Sequence, residues 1–149
     1  MNAAAHVPAD RHFAARIRES FGRQKAMALI GAALGAVEPG YVEVALPFRE
    51  DLTQQKGFIH GGILGMIADS ACGYSAFSLM PADCSLVTVE YKINILTPAL
   101  GALVAKGRVV RPGRTLTVAR GEVYSADGKH VASMQQTLMT LAGTPDTPA

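Results

Sequence analysis

The chain has 149 residues, 49% of them hydrophobic and 17% charged, with a formal net charge of +2. That suffices for one domain with its own core and argues against disorder. Weak, scattered positive charge, no Trp and only 6% aromatic residues argue against nucleic-acid binding.

Residues 1–9 read as a flexible leader, and MNAAAHVPADRHF contains no apolar segment of the signal-peptide kind. Cys72 and Cys84 stand at neither disulfide-framework nor metal spacing. Reduced thiols without a signal segment predict a cytoplasmic protein. Residues 10–22 predict a helix, with Asp10 as its cap and Phe13, Ile17 and Phe21 at helical spacing. A short apolar turn, AMALIG, follows. Two strands are expected at 32–38 and 41–48, joined through Pro39-Gly40, and a polar loop at 49–59.

A long apolar helix is predicted over 61–79, stopped by Pro81. Residues 85–97 then alternate, with Val87, Val89, Tyr91, Ile93 and Ile95 on one face and Thr88, Glu90, Lys92 and Asn94 on the other. Strands at 102–110, 115–125 and 130–141 complete the pattern. The turns between them are Arg111-Pro112-Gly113-Arg114 and the Asp127-Gly128 pair. Residues 10–142 make one domain, and 143–149 read as a flexible Pro/Thr-rich tail. The fold class is α+β. A curved antiparallel sheet of about six strands is expected to wrap one central helix, with an extra N-terminal helix. Its open edges and uncovered apolar surface predict a homo-oligomer.

The most function-like feature lies in the central helix. Between Lys56 and Asp83 the one acid is Asp69. A carboxylate among Ile, Met, Ala and Phe is costly to bury, and such settings suit acid–base or nucleophilic chemistry. The stretch approaches membrane-spanning length, yet a central acid and several Ser and Gly mark a buried core helix and no membrane partner. Nine residues before Asp69, His60-Gly61-Gly62 stands where the helix begins. Helix N-termini carry free N–H groups and partial positive charge, and glycine lets a carbonyl come close.

These pieces resemble a known family. The run His60-Gly61-Gly62 with Asp69 beyond it, then VEYKINILTPA, GRVVRPGRTL and ADGKHVASMQQTL, is similar to the hotdog-fold acyl-CoA thioesterases. The greatest similarity is to the phenylacetate-pathway, PaaI-like branch, over roughly residues 30–141. The resemblance implies Asp69 as general base or nucleophile and the Gly61 N–H as oxyanion donor. Gln54 falls where relatives often carry Asn to hold the carbonyl or the water; Gln is one methylene longer. Thr88 matches a Ser/Thr that orients the attacking water. The family fold is a dimer, commonly paired again into a tetramer. The substrate would be an acyl-CoA, with CoA part of the substrate and no cofactor or metal.

His60 and Gly62 are further candidates for substrate binding, although the His60 ring equally suits a loop contact. Arg111, Gly113 and Arg114 form a turn suited to the phosphates of CoA, as do Lys106 and Arg108; ordinary hairpin charges would look the same. Gly61 and Asp69 are eight residues apart, or about 12 Å at about 1.5 Å per helical residue. One carbonyl carbon cannot touch both, so a site using both takes Asp69 from a second subunit. Two other functions remain. A hotdog-fold hydratase needs an Asp and a His a few residues apart, and neither His60 nor His130 offers that with Asp69. A non-catalytic acyl-CoA sensor would lack the carboxylate or the glycines and usually adds a DNA-binding module.

Overall fold

A computed structural model describes residues 6–147, so the first five residues of the expected leader and the last two of the tail lie outside it. The elements in chain order are α1 (Phe13–Gly22), α2 (Lys25–Ile30), β1 (Ala33–Glu38), β2 (Tyr41–Leu46), a 3-10 turn (Glu50–Leu52), α3 (Gly61–Phe77), β3 (Ser85–Ile95), β4 (Leu103–Arg111), β5 (Leu116–Ser125) and β6 (His130–Leu141). All strand pairs are antiparallel, in one sheet of order β1-β2-β4-β5-β6-β3. This is the expected hotdog architecture, with α3 in the concavity of the sheet.

Two helical features differ from the sequence reading. The AMALIG segment is a short helix, α2, ended by Gly31 in the left-handed region at φ 75°. Asp10 does not cap α1, whose N-cap is His12 without a side-chain bond. The Asp10 carboxylate instead accepts from the His12 N–H at 2.9 Å and lies 3.6 Å from Arg16. Arg16 ties α1 to α3. Its guanidinium donates to the carbonyls of Phe77, Met80 and Pro81 and stacks 4.4 Å from the centre of the Phe77 ring. A cation on the last carbonyls of α3 also complements that helix's dipole.

Two glycines let α3 approach the sheet. Gly107 and Gly121 are cross-strand partners on β4 and β5. A Cβ at Gly107 would stand 2.1 Å from the Ala71 carbonyl oxygen, and one at Gly121 2.9 Å from the Cys72 sulfur. The helix offers small residues here, Ala68, Ala71 and Cys72, all fully buried. Leu64, Ile67, Val42, Val44, Leu103, Val123, Met134 and Leu138 fill the surrounding core. Each such large side chain contributes about 1.5–3 kcal/mol on burial.

The expected two-face alternation of β3 fails at one point. The pairing with β6 runs Thr88 to Leu138 and then Glu90 to Thr137, so Val89 is an extra residue, a β-bulge. A bulge flips the phase of a strand. Before it Leu86 and Thr88 face α3; after it Tyr91, Ile93 and Ile95 do. Thr88 therefore shares the helix side with Tyr91, Ile93 and Ile95, from which strict alternation separates it. The strand is also far less buried than its apolar pattern suggests. It forms a free sheet edge with Val87, Val89, Tyr91 and Ile95 about half exposed.

The tail is not entirely loose. Arg23 donates to the Asp146 carbonyl at 2.9 Å and to its carboxylate at 3.0 Å, which holds this segment against α1. None of the described helices is long and apolar enough to cross a membrane.

Candidate active site

Asp69 sits midway along α3, half-buried, on the side facing β3 and β6. The Thr88 hydroxyl donates to its Oδ1 at 2.8 Å. Gln136, from the centre of β6, donates its amide Nε2 to the same carboxylate oxygen and, at 2.8 Å, to the Thr88 Oγ1. Donors from two strands, β3 and β6, thus converge on one carboxylate oxygen of α3. The sequence reading named Asp69 and Thr88, which the structure brings into contact, and did not name Gln136. A lone polar residue in GKHVASMQQTLMT does point inward by period two, between Met134 and Leu138, but the adjacent Gln135 blurs the signal.

Asp69 and Thr88 line a cleft of about 170 Å³. Its other walls come from α3 (Ser70, Gly73, Tyr74, Phe77), from α1 and the turn after it (Ser20, Gln24), from β3 (Ser85, Leu86) and from Asp146. Tyr74 is fixed there by Ser20 at 3.1 Å and Gln24 at 3.0 Å. Burial holds its phenol above the usual tyrosine range. Cys72, about one turn beyond Asp69 on α3 and packed against Gly121, has a thiol pushed well up by burial and then by the Asp69 charge. It is a packing residue with no thiolate to offer.

Gly61 opens α3 as its first residue, and its N–H has no acceptor within the helix. It lines a second cleft, of about 330 Å³, with Gln54, Phe58, Leu64, Ile95 and Pro98 among its walls. His60 is the N-cap, with its ring Nδ1 accepting from the Gly62 N–H at 2.9 Å. The Gly62 N–H is thereby occupied, and the ring serves the helix start. The proton of this ring, when neutral, resides on Nε2. Gln54 is placed beside Gly61, with its side-chain oxygen engaged by the Lys56 N–H. The two clefts share no residue, so within one protomer Gly61 and Gln54 do not meet Asp69 and Thr88.

The basic candidates divide. Lys106 lies 3.8 Å from Glu43 and over the Tyr124 ring, and Arg108 stacks 4.0 Å from the centre of the Tyr41 ring. Both are cross-strand surface partners. Arg111, Gly113 and Arg114 are exposed in the β4–β5 turn. Strand pairing through Leu116, Met139 and Val87 puts that turn at the Thr88 end of β3. His130 contacts Glu122 and stacks 4.9 Å from Tyr124, on the sheet face away from Asp69. No hydratase-like Asp–His pair is formed with Asp69. The described residues hold no cluster of His, Cys, Asp or Glu suited to a metal ion.

The sequence profile of the Thioesterase superfamily matches residues 56–132, just over half of the chain. An esterase candidate from Saccharolobus solfataricus is 37% identical over 94 residues, 62% of this chain and 66% of that protein. The chain thus spans about two thirds of the length of this curated relative. The crystal structure of a thioesterase family protein from Silicibacter pomeroyi is 47% identical, covers 88% of this chain and 99% of its own, and superposes with a TM-score of 0.85. The E. coli PaaI protein of the phenylacetic acid degradation operon, 20% identical over 91% of this chain and 98% of its own, has a TM-score of 0.84 and is a likeness of fold. With the profile match spanning α3 and the start of β6, and the helix-in-sheet fold found around Asp69, the chain belongs to the thioesterase superfamily, as a thioester hydrolase with a PaaI-like hotdog fold.

Proposed function

We propose that the chain is an acyl-CoA thioesterase whose active sites are each completed by two protomers. The observation that carries this reading is the separation of Gly61 and Asp69 on one helix, in clefts with no residue in common. The free edge of β3 supplies a route to joining them. Thr88 lies near one end of that edge and Ile95, beside Gly61, at the other. Two copies paired edge to edge and antiparallel bring the Thr88 end of one to the Ile95 end of its partner. The half-exposed Val87, Val89, Tyr91 and Ile95 favour such pairing. A homodimer then has two sites.

A thioester needs little activation, because sulfur conjugates poorly with its carbonyl. The Gly61 N–H, at the positive end of α3, receives the carbonyl oxygen as it gains charge; such a donor is worth about 10²–10³ in rate. Asp69 acts on the carbonyl carbon, through water or directly. The carbon–sulfur bond breaks and CoA leaves as its thiol. The cleft beside Asp69 takes the acyl group. Arg111 and Arg114 meet the CoA phosphates; among the described residues neither is held in an ion pair. Release of free thiol across a panel of acyl-CoAs tests the reading. The protein cleaves at least one, and Asp69→Ala cleaves none while remaining a dimer. Cleavage of no thioester would favour an acyl-CoA sensor.

A further inference from the structure

We infer that Gln136 is a positioning residue that commits Asp69 to general-base catalysis through one defined oxygen, an inference that rests on the thioesterase reading of Asp69. Gln136 is fully buried, yet among the described residues its Oε1 has no partner. A buried acceptor left unpaired costs stability, so packing alone does not explain a glutamine here. Its Nε2 does find partners, Asp69 Oδ1 and Thr88 Oγ1.

The proton directions follow from what each group can do. An ionised carboxylate only accepts and an amide nitrogen only donates. Thr88 therefore accepts from Gln136 and gives its one proton to Asp69. Two consequences arise. Asp69 Oδ1 carries two donors, so Oδ2 is the oxygen free for chemistry. Thr88 has no proton left for a substrate carbonyl, only a lone pair, and a lone pair is what a water can donate to. A water giving one proton toward Asp69 Oδ2 and the other toward Thr88 Oγ1 presents its own lone pair to the thioester carbon. In the reacting step a water O–H bond breaks, its proton goes to Oδ2, the new C–O bond forms and the carbonyl π pair moves onto oxygen. Collapse re-forms the carbonyl, breaks the C–S bond and returns the proton from Asp69 to the departing thiolate.

Gln136→Met and Gln136→Leu keep the volume and remove both donors. Each is expected to lower kcat by about ten- to a hundredfold, the scale of a lost hydrogen bond to a charged group, with KM within about twofold. The thermal midpoint does not fall, because the unpaired amide oxygen is lost as well. In a Thr88→Val background the same change costs a several-fold smaller factor, since the two residues act on one carboxylate. An unchanged kcat, an equal factor in both backgrounds, or failure of both variants to fold would each overturn the assignment. If the unmutated protein cleaves no acyl-CoA, the thioesterase reading itself has failed.

Discussion

Gly61 and Asp69 belong to the same helix but to different clefts, eight residues and about 12 Å apart. A helix is rigid over that length, so no loop motion within a protomer closes the gap. Under the proposed function, this relationship makes each chain carry two half-sites that a second copy completes.

The donor at Gly61 can be deleted without leaving the helix. Proline is favoured at the first helical position, and His60 before it is already extended at φ −60°, ψ 137°. Gly61→Ala adds a Cβ 2.7 Å from the Ile95 Cδ1, a flexible methyl that can move, and keeps the N–H. Gly61→Pro is therefore expected to fall below Gly61→Ala in kcat by about 10²–10³, the scale of a lost oxyanion donor. Steady-state thiol release on the two variants measures the difference.

Thr88→Val removes the hydroxyl between Asp69 and Gln136 and keeps the shape. If Thr88 orients the carboxylate and the water as proposed, the expected loss in kcat is about ten- to a hundredfold with KM little changed. Equal losses in binding and turnover would make it a substrate contact.

Gly107→Ala should be strongly destabilising. Its Cβ would stand 2.1 Å from backbone, the Ala71 carbonyl oxygen, which α3 can relieve only by lifting off the sheet. A cost of about 1–3 kcal/mol or more is expected in a urea unfolding curve. Gly22→Ala, at the end of α1 with nothing within 4 Å of the added Cβ, is the milder control.

Burial raises the ionisation of Cys72 and Tyr74 in the folded chain. A raised folded value means that the unfolded chain loses its proton first as pH climbs. This contribution is complete below the ordinary thiol and phenol values, about 8.5 and 10, and is lost above them. The urea midpoint should drop between pH 8 and pH 10.5, and Tyr74→Phe should reduce the drop. An alkaline midpoint equal to the neutral one would contradict the burial of both groups.

Much of the fold is legible in the sequence because its signals are local. The turns at Pro39-Gly40 and Asp127-Gly128, the apolar run of α3 and the alternation in β4 to β6 each lie within a few residues. What escapes is non-local. The bulge at Val89, which puts Thr88 on the helix side, depends on pairing with β6. The opposed Gly107 and Gly121 have meaning only once β4 and β5 are in register under α3. Gln136 lies 67 residues from Asp69, and the adjacent Gln135 blurs its inward period-two signal. His60 reads as a substrate contact or a loop contact from its motif, and the Gly62 N–H is what its ring meets.

Subunit complementation tests the shared site most directly. Asp69→Ala and Gly61→Pro, each inactive or nearly so as a homodimer, are mixed by refolding together. A mixed dimer joins the intact Asp69 of one protomer to the intact Gly61 of the other, so random pairing should restore about a quarter of the unmutated activity. Activity no higher than that of the two parents, in a sample proven to contain mixed dimers, would contradict the account.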